Sequence, residues 1–259
     1  HGPWSFYLQD PFFVSTRKQE KILSRLKKGE FDGIIARQMS GFREIQKLGI
    51  PAIIASTVKE KSTPKDFDFP IITTDNQRIG EMAAEHLLSR GFQNFAFCGY
   101  DEIDWSQSRK RAFCDTLSRN GYSTNLYEQP KLKRDRHWEN EQKWLIEWLR
   151  SLPKPIGLMA CSDDRAQNVI EASKICELRV PEQIAVIGVD DDKLVCNLSN
   201  PSLSSIALNS ISAGYEAAEL LDRIMNGVSM EKQKIIARPT HVEVRMSTNI
   251  LAVEDPDVA

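Results

Sequence analysis

No apolar run in this sequence is long enough to cross a bilayer. The longest, such as Ile50 to Ala55, fall far short of the roughly 20 residues a spanning helix needs. No basic-then-apolar leader opens the chain, so neither a membrane span nor export is expected. The cysteines lack any pairing pattern. Cys98, Cys114, Cys161, Cys176 and Cys196 are odd in number and scattered, and no CxxC occurs, which argues against a disulfide framework and against a zinc site. A reducing compartment, the cytoplasm, is the expectation. Positive charge is not in surplus either: 34 Lys+Arg face 36 Asp+Glu in 259 residues, a formal net charge of −2. Such a balance lacks the concentrated field that phosphate backbones select, so nucleic-acid binding by the whole surface is not expected.

The common catalytic signatures are missing as well. No GxGxxG follows a strand, and no GxxxxGK[ST], GxSxG or HExxH occurs. The four histidines, His1, His86, His137 and His241, lie far apart in sequence, and His86 sits beside Leu87 and Leu88 in an amphipathic stretch where a structural role is the plain reading. Cys98 and Cys161 fall in apolar strands and read as buried thiols. No catalytic residue, metal or cofactor is expected. Carboxylates do cluster at Asp163-Asp164 and Asp190 to Asp192. A glycosidase would need two of them facing one bond across about 5–9 Å, and helix capping or plain acceptor roles are the alternative. The chain starts with His1 rather than methionine, so a piece of a longer protein is expected.

What is present is an alternation of short β-rich apolar runs with amphipathic stretches, the pattern of a parallel sheet covered by crossover helices. Strands are expected at Trp4 to Leu8, Gly33 to Ala36, Pro51 to Ala55, Ile71 to Thr73 and Phe95 to Gly99, with helices at Arg17 to Lys27, Phe42 to Leu48 and Ile79 to Leu88. The last of these starts at Asp75-Asn76 and stops at Gly91. The second half repeats the plan. Helices are expected at Ser106 to Asn120, Trp138 to Leu149, Arg165 to Cys176 and Gly214 to Met225, and strands at Gly157 to Cys161, Ile184 to Val189, Ser205 to Leu208 and His241 to Arg245. The tail from Ala252 is acidic and carries no core-facing stripe. With no long Gly/Ser linker, two lobes would be joined by several short crossings, which favours a hinge.

In open α/β sheets, ligands bind outside the carboxyl ends of the strands. There the sequence places Ser162, Asp163 and Asp164, then Asp190 to Asp192, then Tyr100-Asp101. Trp105 and Arg109, four apart at a helix start, put an aromatic plate and a fork of donors on one face. Carboxylates and guanidinium groups can each pair with two adjacent hydroxyls, and a ring can cover the C–H face of a pyranose. These are the parts of a sugar site. Each has a plainer reading: Asp163 as an N-cap, Arg109-Lys110-Arg111 as a solvated basic face, Asp190 to Asp192 as a turn. Trp144 and Trp148 read as core, whereas Trp138 at its helix start could reach a cleft.

Several stretches, taken in order, are similar to the effector-binding core of lac-repressor-type regulators. They are TDNQRIGEMAAEHLLSRG from Thr74, Phe95 to Gly99, Arg109 with Ala112-Phe113, CSDDRA from Cys161, VPEQIAVIGVDDD from Val180, Leu203 to Asn209, and Gly214 with Ala217 to Leu221. At Arg109 the family usually has Arg-x-x-Gly-Phe. A narrower resemblance is to xylose-responsive regulators, in which such a core precedes an AraC-type helix-turn-helix module; it is carried by WSQSR from Trp105, Trp138 through Pro153 and Arg245 to Val258. The resemblance implies a type I periplasmic-binding-protein-like α/β fold of two Rossmann-like lobes with parallel sheets and a multi-strand hinge. The lobes would be 1–100 plus 207–238 and 101–206 plus 239–259.

The same resemblance implies site roles. Arg109 would pair with sugar hydroxyls, Asp190 would accept from them, and Trp138 would pack on the ring. Ser162, with Asp163 beside it, stands where a longer Asn or Asp is usual, and Asn209 lies near the crossing strand. The family's opening strand and helix have no counterpart before His1. The implied function is sensing of a monosaccharide, xylose or a related sugar, by a cytoplasmic transcription regulator that pairs as a homodimer and touches DNA through a module outside this chain. A periplasmic sugar-binding protein of a transport system and a sugar-processing enzyme are the rival readings.

Overall fold

A computed structural model describes residues 4–8, 24–37, 42–55, 69–101, 103–129, 138–228 and 233–252. The chain separates into two units, His1–Thr73 with Ile211–Ile236, and Thr74–Ser210 with Ala237–Ala259, so it passes between them at 73/74, 210/211 and 236/237. The first passage therefore lies well before the expected 100/101. The helix after Asp75 and the strand after it belong with the second unit because they pack into its sheet.

The first unit holds a four-stranded sheet. Its strands are β1 (Ile34–Arg37), β2 (Ala52–Ala55), β3 (Ile71–Thr74) and β9 (Lys234–Ala237), ordered β1-β2-β3-β9. β1 and β2 are parallel, as are β2 and β3. Helix α1 (Phe42–Leu48) places Ile45 against Leu26, Ala52, Ile54 and Phe69. The helix expected over 17–27 enters the described residues only at 24–27, which are helical and end at Gly29, whose φ of +70° suits a residue without Cβ. Trp4 to Leu8 is not a strand. Phe6, Tyr7 and Leu8 are exposed, and no ladder partner holds them among the described residues.

The second unit holds six strands: β4 (Phe95–Tyr100), β5 (Thr124–Gln129), β6 (Ile156–Ala160), β7 (Ile184–Asp190), β8 (Ser204–Leu208) and β10 (Pro239–Glu243). Their order is β10-β8-β7-β6-β4-β5, parallel throughout except for β10 against β8. β6 is buried over its whole length, and β4 and β7 over all but their last residues, which is why they read as unbroken apolar runs. One side of the sheet packs Ala96, Leu158 and Val186 with Val169, Ile170, Leu145 and Leu149. The other packs Phe95, Phe97, Met159 and Ile187 with Ile79, Leu87, Phe113 and Leu117.

Four helices carry those side chains: α2 (Asn76–Ser89), α3 (Asp104–Arg119), α4 (Trp138–Ser151) and α5 (Asp163–Ile175). α2 and α3 approach closely at Gly80, where an added Cβ would stand 2.6 Å from the Arg109 carbonyl oxygen and the Ala112 Cβ. Two further helices are α6 (Lys193–Leu198), in the second unit, and α7 (Ser210–Met225), most of which lies in the first. The pattern missed β5, β9 and α6. Strand β5 is an edge strand whose polar residues need no apolar run, β9 is an edge strand that buries only alternate residues, and α6 is a short helix set up by its cap rather than by periodicity. Trp144 is also not core. Glu141, Leu145 and Leu149 form the buried stripe of α4, and Trp144 stands beside it, while Trp148 packs on the Tyr127 ring with centroids 5.2 Å apart.

Candidate functional site

The polar candidates gather at the carboxyl ends of β4, β6 and β7, because each βα connection there starts a helix with its free N–H groups facing the same edge. Arg109 is the hub. On the first half of α3 it is 4% exposed, far from a solvated basic face. Its Nε donates to Asn76 Oδ1 at 3.0 Å, its Nη1 donates to the Cys161 carbonyl at 2.5 Å, and its Nη2 lies 3.6 Å from Asp190 Oδ1. The guanidinium sits 4.8 Å from the Trp105 ring centroid, as the i,i+4 spacing implies, and Trp105 meets Tyr100 edge-on with centroids 6.1 Å apart. Desolvation lowers the Arg109 pKa from its ordinary value, against the field of Asp190. Lys110 turns instead to Glu128 at 2.6 Å, and Arg111 is exposed.

Asp190 ends β7 with its side chain 48% exposed. Its φ of 113° lies where L side chains seldom go, and the next residue, Asp191, has φ 53°. Desolvation raises the Asp190 carboxyl above its ordinary value, while Arg109 pulls it back. A carboxylate so placed stands half-exposed beside a buried guanidinium. The rest of the acidic triplet is engaged elsewhere. Asp191 accepts from Arg245 Nη2 at 2.8 Å and Lys193 Nζ at 2.6 Å, and Asp192 caps α6 through the Leu194 and Val195 N–H groups.

The capping role considered for Asp163 belongs to Ser162, whose Oγ accepts from the Arg165 N–H at 3.4 Å. Asp163 is the first residue of α5 and is 2% exposed. Its Oδ1 accepts from Ser205 Oγ at 2.6 Å, and its Oδ2 accepts from the Asp192 N–H at 2.8 Å and from Cys196 Sγ at 3.4 Å. Burial pushes its carboxyl up to about 7, against the pull of those hydrogen bonds. Both oxygens face inward. Asn209 follows β8, exposed, and its N–H donates to the Arg238 carbonyl at 3.0 Å. Trp138 is the first residue of α4. Thus Arg109, Asp190 and Trp105 form one cluster, with Ser162 and Asp163 on the adjoining βα connection.

Three participants escaped the sequence reading of the site. Asn76 and Ser205 are single polar residues whose partners lie far along the chain, so no local spacing marks them. The third is a buried ion pair, Arg165 Nη2 to Glu141 Oε1 at 2.5 Å, with the guanidinium 5.4 Å from the Tyr100 and Tyr127 ring centroids. An arginine one place before Ala166 on an apolar helix face was the available signal.

Among the described residues no cluster of His, Cys, Asp and Glu could hold a metal ion, and no helix is long and apolar enough to cross a membrane. A covered parallel sheet with acceptors and donors gathered at its strand ends is the make-up of a ligand-binding α/β domain. The model of the periplasmic binding protein-like domain matches residues 84–248, and the chain belongs to that family. It is 33% identical over 258 residues to the xylose operon regulatory protein of Haemophilus influenzae, covering 98% of this chain and 64% of that protein. The Escherichia coli K12 protein of the same name is 34% identical over 190 residues, 72% of this chain and 48% of that one. The chain thus spans about half to two thirds of these relatives. The solved structure of the xylose-binding transcription activator xylR superposes with a TM-score of 0.76 at 27% identity, over 95% of this chain and 70% of that one.

Proposed function

We propose that this chain is the effector-sensing core of a DNA-binding transcription regulator and that its effector is a monosaccharide, D-xylose or a close relative. The observation that carries the reading is the Arg109–Asp190 pair, a buried donor fork beside a half-exposed acceptor held at a strained strand end. In this reading Asp190 accepts from one or two sugar hydroxyls, Arg109 donates to a neighbouring oxygen and opposes the desolvation of the carboxylate, and Trp105 fixes the guanidinium plane. Trp138, Ser162 and Asn209 are further proposed contacts. The names of the relatives, all regulators, support sensing over transport or catalysis. A sugar that binds one of two conformations better shifts the population toward it, and that shift is the signal. DNA is then contacted by a module outside this chain, the core pairs as a homodimer, and the protein works in the cytoplasm.

Thermal shift and calorimetry with D-xylose, D-ribose and D-glucose test this on the wild-type chain and on Asp190→Asn and Arg109→Met. Wild type should gain stability with D-xylose, by about 2.7 kcal/mol at a hundredfold excess over Kd. Both variants should lose the gain. A wild type indifferent to all three sugars, variants that respond normally, or turnover of any sugar would each overturn the reading.

A further inference from the structure

We infer that Asp163 is a positioning residue and not a sugar ligand: together with Ser205 it clamps the strained turn that carries Asp190, and so sets the acceptor geometry a sugar meets. This rests on the sugar-binding reading above and deepens it.

Two successive backbone N–H groups follow Asp190, and both are tied to this carboxylate. The Asp192 N–H donates to Asp163 Oδ2 directly, at 2.8 Å. The Asp191 N–H donates to Ser205 Oγ at 3.0 Å, and that hydroxyl donates onward to Asp163 Oδ1 at 2.6 Å. One buried carboxylate thereby fixes the turn at two consecutive points. The turn needs it, since Asp190 and Asp191 both have positive φ, 113° and 53°, and such backbone persists only where its surroundings over-determine it.

The sheet is shaped to admit the carboxylate. Ser205 stands opposite Gly188 in the β7–β8 register. A Cβ at Gly188 would collide with Asp163 Oδ1, so the missing side chain leaves the space in which the carboxylate lies against β7. With both oxygens engaged inside the protein and the residue 2% exposed, Asp163 has no face left for a hydroxyl. Asp190, two residues from the clamped N–H of Asp192, is the half-exposed acceptor beside Arg109.

Calorimetry with D-xylose on Asp163→Ala, Ser205→Ala and the double variant of the 259-residue chain tests this, with melting curves as a folding check. Ser205→Ala removes only a hydroxyl and keeps the test valid if Asp163→Ala fails to fold. Each single change should weaken binding about tenfold, and the double should cost no more than the worse single, because both act through one clamp. Hydrogen exchange supplies a readout that general destabilisation would not give. The Asp191 and Asp192 amides should lose protection selectively, Asp191 in Ser205→Ala and both in Asp163→Ala. Loss of binding in Asp163→Ala with Ser205→Ala within twofold of wild type would make Asp163 a direct ligand and overturn the proposal. Unchanged protection of the two amides would overturn it too. A wild type that binds D-xylose while all variants bind equally well sinks this proposal alone, whereas a wild type that binds no sugar sinks the reading beneath it and this proposal with it.

Discussion

The two units solve the same packing problem with different materials. The first builds its sheet from strands of four residues, with Leu26, Ile45, Ala52, Ile54 and Phe69 in one described cluster and Ile53, Ala217, Leu220, Leu221 and Ile224 buried besides. The second buries whole strands on both faces and adds polar networks inside the apolar layers, among them Arg165–Glu141 and the Ser204, Ser247 and Thr248 hydroxyls. Every sequence-derived site candidate falls in the second unit. The difference teaches where geometry is fixed: a half-exposed carboxylate can be aimed only when its backbone is tied to a sheet that does not shift.

The largest expected effect tests the second unit's polar interior. Glu141→Ala strands a buried guanidinium and should cost about 3–5 kcal/mol in urea unfolding, whereas the pair Glu141→Leu with Arg165→Met should recover most of it. If the single change is mild, the network is not what distinguishes this unit.

Next comes a direct contrast of cores. Leu158→Ala, in the fully buried β6, should cost about 4 kcal/mol, and Ile54→Ala, in the four-residue β2, about 2 kcal/mol, because short strands yield more readily around a cavity. Equal losses would break the comparison.

A smaller effect concerns the segment after β10. There the short 3-10 turn Met246–Thr248 is held by contacts that include His86 Nε2 to Thr248 Oγ1 at 2.9 Å. Burial, with Arg90 nearby, lowers the His86 pKa to about 4. Between its ordinary 6.5 and about 4 the unfolded chain binds a proton that the folded chain does not, so stability should fall as pH drops through that window. From pH 7 to pH 5 the loss attributable to His86 is on the order of 2 kcal/mol, and it should vanish in His86→Gln. The smallest expected effect is at the cap of α6: Asp192→Ala should cost about 1 kcal/mol.

Legibility in the sequence followed local signals and not the division into units. Buried parallel strands such as Ile184–Asp190 and helices such as Phe42–Leu48 were plain in the sequence, because continuous apolar runs and 3.6-residue spacing are local signals. Trp4 to Leu8 has strand composition but no ladder partner among the described residues, and Thr124–Gln129 shows no apolar run because an edge strand can be polar. At the site, Arg109, Trp105 and Asp190 were legible from strand-end logic and spacing. The inward commitment of Asp163, the capping by Ser162 and the part played by Ser205 were not, since each depends on a hydrogen-bond partner from another element.

By itself, the sequence determined the alternating α/β architecture, the lack of disulfide and metal patterns, and the strand ends at which polar residues would gather. These follow from periodicity and composition, which every local stretch carries. Only the tertiary structure decided where the chain passes between its units, which acidic residue faces outward, and which one holds the turn. Those choices rest on atoms brought within 3 Å from positions dozens of residues apart, and on a glycine that leaves room for a carboxylate.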